Sequence, residues 1–244
     1  MQNLNRIFLV TALFFSLPFA ALAGGQTLTV VELFTSQGCS SCPPADSYVG
    51  ELAKRDDLLA LSYHVDYWDY IGWKDPFAKA EYTQRQRRYS QLMNLSYVYT
   101  PQTVIQGSEQ AVGSEISKIN SKISKTQQTQ PLPVSIKKKP GGDFEVSIEA
   151  IKSPEPVEIY LVGFDRSHST DIRRGENSGR KLYNYNVVRD MRWVGTWSGK
   201  AITLPAKMLA TTSHKPSDFA VIVQSKKTGK IFGAAKFSQY NSGS

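Results

Sequence analysis

Two cysteines separated by two residues are the part of this sequence best suited to chemistry. Cys39 and Cys42 are the only cysteines in the chain. The segment before them, Thr27–Phe34, has the apolar, β-branched composition of a buried strand. Pro43 and Pro44 follow, and proline is accepted in the first turn of a helix. The pattern predicts a CxxC pair at a strand-to-helix junction.

This placement predicts a reactive thiol. We expect the helix to begin around Cys39 or Ser40, and a helix N-terminus carries roughly half an elementary positive charge. A thiolate there is stabilised, so its pKa falls from about 8.5 into roughly the 3.5–7.5 range. Cys39 is therefore the expected nucleophile, and Cys42, one turn later, is expected to resolve the mixed disulfide. The two thiols form the redox centre themselves, so no cofactor is required.

The cysteine pair has two alternative interpretations. One is an inert structural disulfide, although closing so short a loop restricts the unfolded chain little. The other is a pair that holds copper or zinc, which would take its further ligands from His64, His168, His214 or carboxylates. In either case the protein would be a non-enzymatic binding or copper-handling module. His64 ends a predicted strand, Leu58–Val65, where it could tune Cys39 or serve as a hydrogen-bonded structural histidine. We expect no metal, and two cysteines exclude a multi-disulfide scaffold and a four-thiolate cluster within the chain.

Two further features are candidate supports for the pair. Thr100 and Pro101 precede a short predicted strand, Thr103–Ile105. An X–Pro bond can be cis at modest cost, and a cis bond here would turn the backbone of Thr100 toward the cysteines, where it could align an extended peptide. Glu32 lies inside the first strand, and it is a candidate general base and proton relay for Cys42 or, equally, a solvated or paired strand residue.

The first half of the chain alternates strands and helices. After the cysteine helix come the strand Leu58–Val65, a helix predicted from Asp75 to about Leu95, two short strands and a last helix. This order predicts an α/β domain over residues 24–130, with a mixed sheet and helices on its faces. Residues 66–73 contain four aromatic side chains, which could line a substrate groove or form local core beneath an irregular loop.

The second half has a different character. Apolar residues alternate on both sides of Pro140-Gly141-Gly142, which predicts a hairpin, and further strand-like segments follow. Residues 206–210 are the candidate for a short helix. We predict that residues 131–240 form an antiparallel β-sandwich-like domain. The polar stretch Asp171–Arg180 is either a binding loop at the interface between the two halves or a long hairpin connection.

Several motifs taken together resemble one known family. Glu32–Asp46 (ELFTSQGCSSCPPAD), His64–Asp69 (HVDYWD) and Tyr99–Gln102 (YTPQ) are similar to segments of the secreted bacterial family catalogued as domain of unknown function 1223. Arg174–Arg180 is like a stretch in the β-rich C-terminal region of that family. The resemblance covers nearly all of the mature chain. It implies a thioredoxin-like domain followed by an added β-rich region, and it leaves the activity unsettled.

The chain departs from well-studied thioredoxins at three points. Ser40 and Ser41 stand between the cysteines in place of the usual dipeptides, and Gly38 replaces the tryptophan that usually precedes the first cysteine. Glu32, which would be the buried acid beneath the pair, lies seven residues before Cys39. That is one residue further than usual, so a relay role for this carboxylate requires a one-residue bulge.

The N-terminal 23 residues predict export. Arg6 provides a positive charge, Ile7–Leu17 is almost wholly apolar, and Ala21-Leu22-Ala23 matches a signal-peptide cleavage pattern. An uncleaved N-terminal anchor is the alternative. No later stretch is long and apolar enough to cross a bilayer, so we expect no stable membrane insertion after cleavage. The mature chain is expected in the periplasm or outside the cell, where its thiols meet an oxidising compartment.

The composition and the net charge indicate which kinds of molecule the protein is expected to bind. The chain of 244 residues is 41% hydrophobic and 20% charged, which is typical of a globular protein and excludes whole-chain disorder. The net charge is +8, and the basic residues are spread along the chain. We interpret them as solvated faces and expect no nucleic-acid partner. The expected partners are protein or peptide thiols and disulfides.

Overall fold

The structure, a computed structural model, describes most of the chain in four stretches. These are residues 26–129, 132–152, 155–207 and 215–238. The predicted signal peptide and His214 lie outside them, as does most of the segment considered for a short helix. Among the described helices, none combines the length and apolar character needed to span a membrane.

The described residues form three α-helices, one short 3-10 turn and eleven strands. The helical elements are α1 (Pro43–Leu52), α2 (Ala80–Leu92), α3 (Ile116–Gln127) and the 3-10 turn Asp69–Ile71. The strands are β1 (Thr29–Thr35), β2 (Leu58–His64), β3 (Gln102–Ile105), β4 (Glu109–Val112), β5 (Val134–Lys138), β6 (Phe144–Ile148), β7 (Val157–Asp171), β8 (Lys181–Trp197), β9 (Ile202–Ala206), β10 (Asp218–Gln224) and β11 (Ile231–Ser238).

Eight strands form one mixed sheet, in the order β11-β10-β7-β8-β2-β1-β3-β4. β1 and β2 run parallel, in register from Thr29 opposite Leu58 to Thr35 opposite His64. β8 also runs parallel to β2, while the other neighbouring strands are antiparallel. The mixed sheet predicted for the first half is therefore confirmed, and it is larger than predicted.

Strands of the second half are divided between two sheets. β7, β8, β10 and β11 extend the large sheet from the edge of β2, and β5, β6 and β9 form a separate antiparallel sheet of three strands. β8 is long enough, at 17 residues, to pair with β7 along most of its length and still reach β2. The second half therefore does not form a separate sandwich domain of two sheets. One of its two sheets is part of the large sheet that also contains β1 and β2.

β1 is buried on both faces because it lies between β2 and β3 in the sheet and helices cover the two sides. Val31 and Leu33 pack in the core that includes residues of α1 and α3. Val30 and Phe34 pack on the other face, with aromatic residues of α2. Alternation along the strand places Glu32 on this second face, with the same parity as Val30 and Phe34.

α2 begins at Ala80 rather than at Asp75, where the sequence predicted the helix start. The Asp75 carboxylate accepts a hydrogen bond from the Phe77 N–H at 2.9 Å, and it also accepts one from the more distant Gln37 N–H at 2.8 Å. These bonds, together with a contact to His64, hold Asp75 in a buried turn. The Asp-Pro pair therefore builds the turn before α2, and the helix starts later.

Candidate functional site

The two cysteines form a disulfide immediately before α1. The distance between their sulfur atoms is 2.31 Å and that between their Cα atoms is 5.5 Å. Cys42 is the N-cap of α1, while Cys39 lies in the preceding turn, where its carbonyl accepts the Cys42 N–H at 3.2 Å. This corrects the expectation that the helix begins at Cys39 or Ser40. Cys42, and not Cys39, is the residue at the helix N-terminus.

Both cysteines are buried. Cys39 is 1% exposed and Cys42 is fully buried. The Sγ of Cys39 lies 3.3 Å from the hydroxyl of Ser41. Disulfide exchange requires a sulfur atom that a partner can reach, and the observed conformation does not present one. A reaction with a partner protein therefore needs part of the structure around Cys39 to move.

The loop between β7 and β8, residues 172–180, which we call the lid loop, contacts the backbone of the cysteine turn. Asn177 in this loop is fully buried, and its Nδ2 donates to the carbonyl oxygens of Gln37 at 2.9 Å and Cys39 at 3.0 Å. Arg180 donates to Asn177 Oδ1 at 2.8 Å, which fixes the orientation of the amide. The polar stretch that the sequence left undecided thus contacts the cysteine turn directly.

A second contact holds the lid loop over the same turn. The N–H of Ser40, between the cysteines, donates to Glu176 Oε2 at 3.1 Å. Gly175 has a φ of +77°, and a Cβ added there would lie 3.1 Å from the Cβ of Trp73. A side chain is therefore disfavoured at Gly175 both by the backbone conformation and by the close approach of the aromatic segment.

Gln37 connects the cysteine turn to the rest of the molecule. This fully buried side chain donates from Nε2 to Thr170 Oγ1 and Asn184 Oδ1, each at 3.0 Å. Its Oε1 accepts the indole N–H of Trp73 at 3.1 Å. The turn is thereby tied to both strands of the hairpin that carries the lid loop.

Thr100 is linked to the cysteine turn through Trp68. The Thr100–Pro101 peptide bond is cis, and the indole N–H of Trp68 donates to Thr100 Oγ1 at 2.7 Å. A Cβ on Gly38 would lie 3.2 Å from the Cβ of Trp68. Close packing of Trp68 explains why a small residue precedes Cys39. The aromatic segment is partly local core, although its Tyr70 is 83% exposed.

The structure does not bring Glu32 to the cysteines. Its carboxylate accepts from Arg85 Nε at 2.8 Å and from the Tyr89 hydroxyl, on the α2 side of the sheet. The hydroxyl of Tyr89 also accepts from Gln224 Nε2 at 2.7 Å. Burial alone would lower the pKa of Arg85, but the Glu32 carboxylate outweighs it, so the pKa of Arg85 lies well above its ordinary value. Because α1 packs on the opposite face, the expected relay from Glu32 to Cys42 is not formed, and Glu32 is a paired strand residue.

A buried acid does lie on the α1 side, and the sequence analysis missed it. Asp46 is buried in α1. Burial raises its pKa to about 7, opposed by the charge of His64 and by the nearby polar side chains of Thr35 and Asn184. The signal that could have found it is the helical spacing, since Asp46 is four residues after Cys42.

His64 is fully buried, and its Nδ1 lies 2.6 Å from Asp75 Oδ2. Burial would lower the pKa of His64, but the Asp75 carboxylate outweighs burial and raises it. The same contact lowers the pKa of Asp75 against its own burial. His64 is thus a hydrogen-bonded histidine, as one of its two interpretations expected, and its charge acts on Asp46.

A metal-binding arrangement was the other alternative for the cysteines. Within the described ranges, no group of three or more histidine, cysteine, aspartate or glutamate side chains is placed to hold a metal ion. One ring nitrogen of His64 is already engaged by Asp75. The features of this site that could take part in chemistry are therefore the disulfide, the lid loop that contacts the cysteine turn and a buried acid.

Comparison with known proteins places the chain in a family without assigning an activity. No curated protein matches it. The crystal structure of a protein from Agrobacterium tumefaciens is similar, with 31% sequence identity and a TM-score of 0.73 over 86% of this chain and 93% of that one. The family model described as "Protein of unknown function (DUF1223)" matches residues 30–224. The chain therefore belongs to the DUF1223 family.

Proposed function

We propose that this is an exported, thioredoxin-like protein that exchanges its Cys39–Cys42 disulfide with thiols of protein or peptide partners. The observation that carries the proposal is the disulfide itself, which closes between two adjacent turns directly before α1. The resemblance of the cysteine and Thr-Pro motifs to the thioredoxin pattern supports it. No cofactor is needed, because the two sulfur atoms accept and return the electron pair.

The exchange runs through a mixed disulfide. A partner thiolate attacks Cys39 Sγ, the bond between the two cysteines breaks, and Cys42 leaves as a thiolate that takes up a proton. A second partner thiolate then attacks the partner sulfur, which releases Cys39 and leaves the partner oxidised. The reverse sequence reduces the partner instead. Thr100, linked by Trp68 to the cysteine turn, is our candidate for aligning the partner strand.

Exchange requires the lid loop to move. Cys39 is covered while Asn177 and Glu176 hold the cysteine turn, so we propose that an open conformation is the reactive one. The contacts to be broken are a few hydrogen bonds, each contributing roughly 0.5–1.5 kcal/mol net. An opening of that size is within the range of local fluctuations in native proteins.

The test is covalent trapping. Cys42→Ser leaves Cys39 able to form a mixed disulfide that cannot be resolved, so partner proteins should accumulate on it and be released by dithiothreitol. Cys39→Ser is the matched control and should trap nothing. If Cys42→Ser carries no protein in the exported fraction, the exchange function is wrong.

Burial of both cysteines favours a second candidate, a binding module in which the disulfide is structural. This candidate predicts that the double variant Cys39→Ser, Cys42→Ser still binds its partner and loses only stability, by roughly 2 kcal/mol for so short a loop. Exchange predicts that the same variant loses all transfer of disulfides to a reduced test peptide.

The proposed compartment is the periplasm or the exterior of the cell, with a signal peptide at residues 1–23. Fractionation of cells that express the full chain tests this. A shortened protein should appear in the exported fraction, and full-length protein retained in the cytoplasm would contradict it.

A further inference from the structure

We propose that Asp46 is the proton acceptor for the Cys42 thiol and that His64, paired with Asp75, keeps the Asp46 carboxylate available for this task. The proton step belongs to the proposed exchange reaction and rests on it. The coupling between Asp46 and Cys42 does not, because it is a property of the reduced protein alone.

Helical geometry places Asp46 beside Cys42. Cys42 has helical angles, φ −77° and ψ −35°, and its carbonyl accepts the Asp46 N–H at 3.1 Å. Side chains four residues apart on a helix share a face, with Cβ atoms about 5–6 Å apart. Both side chains are buried, so the helix face that carries the carboxyl and the sulfur is turned into the protein.

Groups on every element packed around Asp46 act on its carboxyl. His64 on β2 faces it with a positive charge, and Asp75, before α2, adds a weaker negative one. Thr35 at the end of β1 and Asn184 on β8 provide the polar neighbours. Arg189 on β8 acts on His64 in turn.

The polar atoms around this carboxyl are not committed to structural hydrogen bonds. Asp46 Oδ1, Thr35 Oγ1, His64 Nε2 and Asn184 Nδ2 are all buried and, in the part of the chain that is described, have no hydrogen-bond partner. Most buried polar groups in native proteins are paired, and a cluster that is not calls for a functional explanation. Here it leaves one oxygen of the carboxyl, Oδ1, able to gain or lose a proton without breaking a hydrogen bond that supports the fold.

Burial and the charge of His64 together bring the pKa of Asp46 close to neutral pH. Burial raises its pKa to about 7, and His64 opposes that rise. An acid with this pKa can take a proton from a thiol and return it at ordinary pH. A fully neutralised carboxyl could not accept the proton, so the charge on His64 is what keeps the acceptor form populated.

In the proposed step, the proton of Cys42 passes to the Asp46 carboxylate while Cys39 is joined to a partner. The Cys42 thiolate attacks Cys39 Sγ and the bond between the two cysteines forms. The bond between Cys39 and the partner sulfur breaks, and its electron pair leaves with the partner as a thiolate that is protonated by water. The cysteine pair is oxidised and the partner is reduced.

The test compares Asp46→Asn with Glu51→Gln, which removes an exposed carboxylate from the same helix. Each protein is reduced with dithiothreitol, freed of reductant, and its ultraviolet thiolate absorbance is followed against pH. Without the neighbouring negative charge, Cys42 should ionise more readily, giving roughly tenfold more of its thiolate near pH 7. Divided by this larger thiolate fraction, the rate of the closing step on a Cys39 mixed disulfide should fall by about 10²-fold, because the remaining Cys42 thiol has lost its proton acceptor. Glu51→Gln should match the wild type in both measurements.

Identical thiolate titrations for Asp46→Asn and the wild type would overturn the inference. Because a chemical reductant opens the disulfide, this result is independent of whether any partner is trapped, so the failure of Asp46 and the failure of the exchange function are distinguishable. If Asp46→Asn does not fold, the coupling can be tested in the wild type by following the carboxyl-carbon NMR signals of its aspartates against pH. The midpoint of the aspartate that titrates near pH 7 should move when the disulfide is reduced, and an unchanged midpoint would refute the coupling.

Discussion

Two buried carboxylates lie on opposite faces of the same sheet, and their surroundings differ in kind. Glu32 is bonded to Arg85, which remains charged at any ordinary pH, and to the hydroxyl of Tyr89. Asp46 faces His64, whose charge can titrate, and one of its oxygens has no hydrogen-bond partner among the described residues. Burial beside a permanent cation makes a carboxylate part of the structure, whereas burial beside a titratable ring leaves it available for proton transfer.

The largest expected effect comes from breaking the Glu32 side of this comparison. Glu32→Gln leaves Arg85 as an uncompensated buried charge, so the free energy of unfolding should fall by about 3–5 kcal/mol. Urea-induced unfolding measures it. Disulfide exchange by the folded fraction should be unchanged. The exposed Glu51→Gln variant should unfold like the wild type, and a loss of similar size there would show that the effect is not specific to burial.

Asp46 is expected to make the stability of the protein depend on pH. The pKa of Asp46 rises on folding from its ordinary 3.8 to about 7, so between these values the folded protein binds more protons than the unfolded chain and its stability falls as pH rises. The Asp46→Asn variant has no carboxyl to titrate, so its stability does not fall in this way. The difference between its free energy of unfolding and that of the wild type should therefore shift in its favour by roughly 2–4 kcal/mol as pH rises from about 4 to about 8.

Urea unfolding at four or five pH values provides the measurement. A stability difference that is constant across the range would mean that burial does not raise the pKa of Asp46, and the contrast between the two carboxylates would disappear.

The lid loop offers the smallest and most local test. Asn177→Ala removes two hydrogen bonds to the cysteine turn, which should favour the open conformation by about 1–2 kcal/mol. The disulfide should then be reduced by dithiothreitol roughly tenfold faster. Ser178→Ala is the control, because the Ser178 hydroxyl donates to the carbonyl of Arg173 within the same loop and not to the cysteine turn. Equal reduction rates for Asn177→Ala and the wild type would show that this loop does not limit access.

Local patterns predicted much of the fold. Apolar, β-branched runs predicted β1 and β2, and proline after cysteine predicted a helix start close to the observed one at Pro43. These signals succeed because they depend on neighbours within a few residues. The Asp75–Pro76 pair was misinterpreted as a helix start since its carboxylate is engaged by His64 and by Gln37, a contact across 38 positions of sequence.

The candidate site was less predictable for the same reason. Asn177 reaches Cys39 across 138 positions of sequence, and no local pattern reports such a contact. Glu32 lies on a strand buried on both faces, where alternation alone does not say which helix each face meets. Asp46, in contrast, follows from simple helical spacing after Cys42.

The shared strand β8 makes the two halves of the molecule inseparable in practice. Its parallel pairing with β2 at Ser62 and Val187 covers a strand that is buried along its whole length. A fragment ending near residue 130 would expose that edge to any other chain offering backbone donors and acceptors. Such a fragment would therefore be prone to aggregate. It would also lack Asn177 and Asn184, so the cysteine turn would lose its hydrogen bonds to the lid loop and to β8. The C-terminal half therefore completes the sheet and the surroundings of the cysteine turn, and it is part of the same structural unit as the cysteine half.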